Sequence, residues 1–111
     1  MSEVSSGRFR ILTSEDSIPS NFVVPCYLAD QKRRISIARV GHRFYAFEDL
    51  CPCGGSPCPL SGGLLSGATI MCQCHGSTFD LSSGAVLTGP AVSGLEVFPA
   101  KSEGGSIQVL I

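Results

Sequence analysis

Cys72-Gln73-Cys74-His75-Gly76-Ser77-Thr78-Phe79-Asp80 sets two thiols and an imidazole between a β-type run near Thr69–Cys72 and another near Thr78–Asp80. Thiolate and imidazole are ligands for zinc and for iron–sulfur clusters. A second cysteine motif, Cys51-Pro52-Cys53, stands upstream where another β run meets a turn. Two such loops folded against each other can place four ligands around one site. Five of the six cysteines fall between Cys51 and Cys74. In a reducing compartment such a cluster points to metal or redox chemistry rather than to a disulfide framework. The residue types alone leave zinc and iron–sulfur both open.

Outward from these motifs, the chain alternates short β runs with glycine, proline and polar turns and shows no long helical period. Strands are expected near Arg8–Thr13, Phe22–Leu28, Ile35–Val40, Arg43–Phe47, Thr69–Cys72, Thr78–Asp80, Leu95–Pro99 and Ile107–Ile111. Turns are expected at Ala29–Lys32, Val40–His42, Leu81–Gly84 and Ser102–Ser106, and a short helical turn at Glu15–Ser17. This pattern predicts an all-β domain. Glu48–Gly67 differs, with Cys51, Cys53 and Cys58, three prolines and five glycines. Proline lacks a donor and glycine loses entropy on ordering, so this stretch is expected to form neither ladder nor helix easily. A metal holding the loop together is the simplest reason for it.

The 111 residues fit a single domain, 1–111, with a modest core. A net charge of −1 gives no sign of nucleic-acid binding. No run of 18 apolar residues exists to cross a membrane, and Met1–Arg10 lacks the apolar centre of a secretion signal. A cytoplasmic protein is the expectation. Lys32-Arg33-Arg34 reads as a solvated turn, and Glu48 and Asp49 as solvated loop charges. His42 reads as an exposed turn residue, Cys26 as a buried small apolar one, Met71 as core, and Asp80 as shaping the turn after Phe79.

Cys72-Gln73-Cys74-His75-Gly76-Ser77-Thr78-Phe79-Asp80 resembles the second cluster-binding box of Rieske proteins. Ser83-Gly84, Gly89-Pro90-Ala91 and Leu95-Glu96-Val97 extend the likeness, and Cys58-Pro59-Leu60 resembles the end of the first box. The resemblance implies stacked antiparallel sheets with a two-loop cluster-binding subdomain over about residues 48–92, and one [2Fe–2S] cluster. The family's first box is Cys-x-His, but here it reads Cys51-Pro52-Cys53. Rieske clusters place two cysteines on one iron and two histidines on the other. Carried over, Cys51 and Cys72 hold one iron, His75 the other, and Cys53 replaces the missing imidazole. A second alignment puts Cys53 on the family's cysteine and Gly55 on its histidine, which leaves Cys51 or another group to complete the site. Both end on Cys51, Cys53, Cys72 and His75. In some branches a disulfide joins the two boxes, and the matching positions are Cys58 and Cys74.

The resemblance also assigns supporting roles. Ser77 matches a serine that donates to a cluster sulfur, Phe79 stands where high-potential members have a donating tyrosine, and Pro90 lies on a third loop that covers the cluster. A thiolate in place of imidazole, and phenylalanine in place of tyrosine, both imply a low reduction potential. The function implied is an electron carrier, not an enzyme alone, moving single electrons from a reductase to an oxygenase or another redox enzyme. Its docking face is expected around His75, Pro90 and Leu60. The rival readings are a small subunit of a larger reductase, a zinc-stabilised binding module, and a sensor that signals by losing its cluster.

Overall fold

The computed structural model describes residues 9–52 and 58–111. Eleven strands form three antiparallel sheets among these residues. One sheet joins β1 (Phe9–Ser14), β11 (Ser106–Leu110) and β10 (Ala100–Glu103), in that order. The second runs β2 (Phe22–Leu28), β3 (Arg33–Val40), β4 (Arg43–Glu48) and β9 (Val97–Phe98). The third runs β5 (Leu64–Ser66), β6 (Thr69–Met71), β7 (Thr78–Asp80) and β8 (Val86–Thr88). The fold is all-β, as the sequence predicts, with a 3₁₀ turn at Glu15–Ser17 and another at Leu60–Gly62.

Strand β3 divides the interior. Ile35, Ser36, Ile37 and Ala38 are all buried, so β3 is covered on both faces. Ile35 and Ile37 join Ile18, Leu28, Ala46, Ile107 and Val109 in one core. Ala38 belongs to the other core, with Phe47, Leu60, Ile70, Phe79, Leu81, Ala91, Leu95 and the cysteines Cys51, Cys58 and Cys72. The period-2 alternation of a strand produces this split, because neighbouring side chains leave opposite faces. Cys51, Cys58 and Cys72 are thus held in apolar packing.

The β2–β3 hairpin pairs Phe22 with Arg39 through Leu28 with Arg33. Pro25 sits in its outer strand β2, where a missing N–H costs least. The β3–β4 hairpin turns at Gly41, with φ of +63°, and at exposed His42. Cys26, expected to be buried, is only half-buried on β2.

The described residues of Glu48–Gly67 carry more secondary structure than their composition suggests. Leu50 and Pro59 form a β-bridge, Leu60–Gly62 makes the second 3₁₀ turn, and Leu64–Ser66 pairs with β6. Gly63 permits the last pairing, since a Cβ there would lie 2.2 Å from the Met71 carbonyl oxygen. Strands β8 and β10 are also absent from the sequence expectation. Ser102 and Glu103 extend β10, so the turn there narrows to Gly104 and Gly105. Leu95 and Pro99, expected in a strand, flank the two-residue β9.

The charges near the cysteine loop differ from expectation as well. Asp49 is fully buried and Glu48 is half-buried, rather than solvated. Arg33 pairs with Glu48 at 2.7 Å and with Glu96 at 2.9 Å, and Arg34 pairs with Asp49 at 2.5 Å. Of the basic run, only Lys32 keeps the character of a plain exposed turn residue, with φ of +52°. Arg33 is drawn partly from solvent between Glu48 and Glu96, whereas Arg34 stays exposed while its guanidinium reaches the buried Asp49.

Candidate metal centre

The first cysteine loop leaves β4 at Glu48 and returns at Ser61. Its limbs meet through the Cys51 N–H donating to the Cys58 carbonyl at 2.9 Å and the Leu60 N–H donating to the Asp49 carbonyl at 2.5 Å. The second loop links β6 to β7, with Met71 opposite Thr78 at its base. Above that base the Cys72 N–H donates to the Ser77 carbonyl at 2.8 Å, and the Gly76 N–H to the Cys72 carbonyl at 2.9 Å. Gly76 takes φ of +81°, which lets the chain reverse between Cys72 and Ser77. Cys72 is buried, whereas Gln73, Cys74 and His75 are exposed at the loop's outer end.

A disulfide joins Cys58 on the first loop to Cys74 on the second, with Cα atoms 6.4 Å apart. It ties the two loops side by side. The sulfurs of Cys58, Cys72 and Cys74 all lie within 4.8 Å of one another. Cys51, bonded through its N–H to the Cys58 carbonyl, lies in the same buried cluster as Cys72. Cys53 lies outside the described residues.

A third segment closes over the second loop. The Ala91 N–H donates to the Ser77 hydroxyl oxygen at 3.0 Å, and both residues are buried. The Leu95 N–H donates to the Gly84 carbonyl at 2.7 Å. Gly84, at φ of +82°, is pressed so close that a Cβ would lie 2.0 Å from the Leu95 carbonyl oxygen. Pro90 follows Gly89 through a cis peptide and is exposed. Phe79 is fully buried in the core beneath.

These residues fit a cluster with mixed sulfur and nitrogen ligation. Two buried cysteines and an exposed imidazole stand on adjoining loops. Ser77 accepts from Ala91 and keeps its own O–H proton, inside a buried site, available to a sulfur acceptor. The three-sulfur group of Cys58, Cys72 and Cys74 is poorly suited to zinc, because two of its sulfurs are bonded to each other and are not thiolates.

Asp49 is the residue that sequence reasoning missed. Burial pushes its carboxyl pKa up, but donors from Ser36, the Ser61 N–H and Arg34 outweigh that and hold it below the ordinary carboxylate range. Asp49 stands one residue past the end of β4 and two after Phe47, and both are fully buried, so the strand's alternation carries on into the loop. Leu60 corrects a second expectation. It is 0% exposed and cannot serve a docking face. Val92, next to Ala91 on the third segment, is 93% exposed instead. Asp80 shapes its turn as expected, accepting from the Ser82 N–H at 3.0 Å.

The Rieske [2Fe–2S] domain model matches residues 9–99. Ferredoxin CarAc of Metapseudomonas resinovorans is 36% identical over 75 residues, 68% of each chain. The 3-phenylpropionate/cinnamic acid dioxygenase ferredoxin subunit of Escherichia coli (strain K12) is 38% identical over 74 residues, 66% of this chain and 68% of that one. Among solved structures, the Sphingomonas yanoikuyae B1 ferredoxin superposes with a TM-score of 0.84 at 22% identity, covering 94% of this chain and 99% of that one. With its two joined loops, its core and this match over most of its length, the chain belongs to the Rieske [2Fe–2S] domain family.

Proposed function

We propose that this chain is a one-electron carrier that holds a [2Fe–2S] cluster through Cys51, Cys53, Cys72 and His75. It takes its electron from a reductase and gives it to an oxygenase or another redox enzyme, working in the cytoplasm and not as an enzyme alone. The observation that carries this reading is the pair of loops bound side by side, with buried cysteines inside and His75 exposed at the outer end. The relative named as the ferredoxin subunit of a dioxygenase supports an oxygenase as the acceptor, and the relative named as a ferredoxin supports the carrier role.

When bound, the cluster supplies reversible one-electron chemistry. The chain's own residues do the rest. Cys51 and Cys72, both buried, would hold the cluster on the side shielded from water. His75 stands where an electron leaves by a short path to a docked partner. The face offered for docking is His75, Pro90 and Val92, all exposed on the second loop and the third segment. No helix among the described residues is long and apolar enough to cross a membrane.

Cys53 makes the potential low. A thiolate brings a negative charge where imidazole brings none, and that charge opposes an added electron. Phe79 has no hydroxyl to donate to a sulfur, which acts in the same direction. The test is the midpoint potential of the protein beside Cys53→His and Cys53→Ala. The parent is expected between about −400 mV and about −150 mV, the spans of all-cysteine and two-histidine centres. Cys53→His is expected to raise it. Unchanged spectra in both variants remove Cys53 from the ligand set.

A further inference from the structure

The cysteine loop has a neck, and one carboxylate sits in it. Asp49 enters the loop and Leu60–Ser61 leave it. The Leu60 N–H bonds the Asp49 backbone carbonyl, and the Ser61 N–H bonds the Asp49 Oδ1 atom at 2.8 Å. The same oxygen accepts from the Ser36 hydroxyl at 2.6 Å, while Oδ2 accepts from Arg34 Nε at 2.5 Å. The Asp49 N–H in turn donates to the Arg34 carbonyl at 3.1 Å. One residue therefore grips both limbs of the loop and ties them to β3.

An apolar side chain at this place would leave the Ser36 hydroxyl, the Ser61 N–H and the Arg34 guanidinium short of an acceptor. An amide is also a poor substitute. Every group facing the carboxylate is a donor, and an amide would turn its NH₂ toward one of them. The surroundings require an acceptor-only group. Burial of that charge is tolerated because the donors and the Arg34 cation compensate it. The position is also mechanically coupled to the site. Cys51 is two residues on, its N–H is fastened to Cys58, and Cys58 is fastened to Cys74 beside Cys72.

We propose that Asp49 is a positioning residue, which by clamping the neck of the cysteine loop fixes where Cys51 stands relative to Cys72. The proposal rests on the cluster reading above for its consequence, though not for the clamp itself.

The test is Asp49→Asn, nearly identical in shape, measured on the protein as purified. Amide exchange at Leu60 and Ser61 is expected to rise at least about tenfold, while Ile37 and Ala46 in the β3–β4 hairpin keep their protection. Iron release to a ferrous chelator is expected to quicken by a similar factor, with a broadened EPR line in the reduced state. Adding Arg34→Gln gives the amide an acceptor and is expected to restore part of both. If Asp49→Asn does not fold, Ser36→Ala removes a single donor and is expected to raise the same exchange rates severalfold. Unchanged exchange at Leu60 and Ser61, or faster exchange with unaltered iron release and EPR line, overturns the proposal. A chain that binds no iron defeats the carrier function and still leaves the exchange comparison to decide the clamp.

Discussion

Removing the Cys58–Cys74 bridge by Cys58→Ala with Cys74→Ser frees a loop of 16 residues in the unfolded chain. The loop-entropy relation assigns such a closure about 10 cal/mol/K, or about 3 kcal/mol at 25 °C. Unfolding entropy near about 2.1 cal/mol/K per residue comes to about 230 cal/mol/K for this length. The melting temperature is therefore expected to fall by about 13 °C. Alanine suits buried Cys58 and serine suits exposed Cys74, so neither change buries a new polar group. Loss of the Cys58 sulfur from the core adds to the fall rather than opposing it. The assay is a circular-dichroism melt of both proteins at matched iron content, with a thiol titration showing the bridge intact in the parent. A fall below about 4 °C with that bridge intact would refute the loop-entropy reasoning.

Gly84→Ala is expected to destabilise by more than about 2 kcal/mol in urea unfolding, because a left-handed φ and a 2.0 Å approach to the Leu95 oxygen act together. Gly41→Ala, with a similar φ and nothing within 4 Å, serves as its control at about 1–2 kcal/mol, and equal losses would dismiss the close approach. Asp80 is held below its ordinary pKa, first by the Ser82 N–H and then by the Ser82 and Ser83 hydroxyls. Its contribution is fully present above the unfolded value near about 3.9 and is lost as pH falls through the lower folded value. Asp80→Asn is therefore expected to trail the parent near neutral pH and to converge with it in acid. A gap in stability that stays constant down to acid pH would contradict this.

Much of the fold was legible because local patterns and tertiary demands agreed. Phe22–Leu28 and Thr78–Asp80 have the bounds expected of them, and so does the turn at Glu15–Ser17. Strands β5, β8 and β10 were not legible. Leu64–Ser66, Val86–Thr88 and Ala100–Glu103 exist through pairing with a neighbour, and unlike the equally short Thr78–Asp80 they adjoin no cysteine motif that marks them. The two cysteine motifs, Cys51-Pro52-Cys53 and Cys72-Gln73-Cys74-His75, stood out by residue type and spacing. The neck of the loop was not, because Asp49 looks like a surface charge until Ser36, Arg34 and Ser61 are seen around it. Leu60 misled for the opposite reason. An apolar residue beside the cysteines suggested a docking face, yet the returning chain carries it into the core.

The most direct test is to purify the protein without oxygen, count metal and acid-labile sulfide, and record the EPR spectrum after reduction. About two irons and two sulfides per chain, with a spin-½ signal from the reduced state, are expected of one [2Fe–2S] centre. Folded, colourless protein that holds zinc or no metal would contradict the role assigned to the two joined loops.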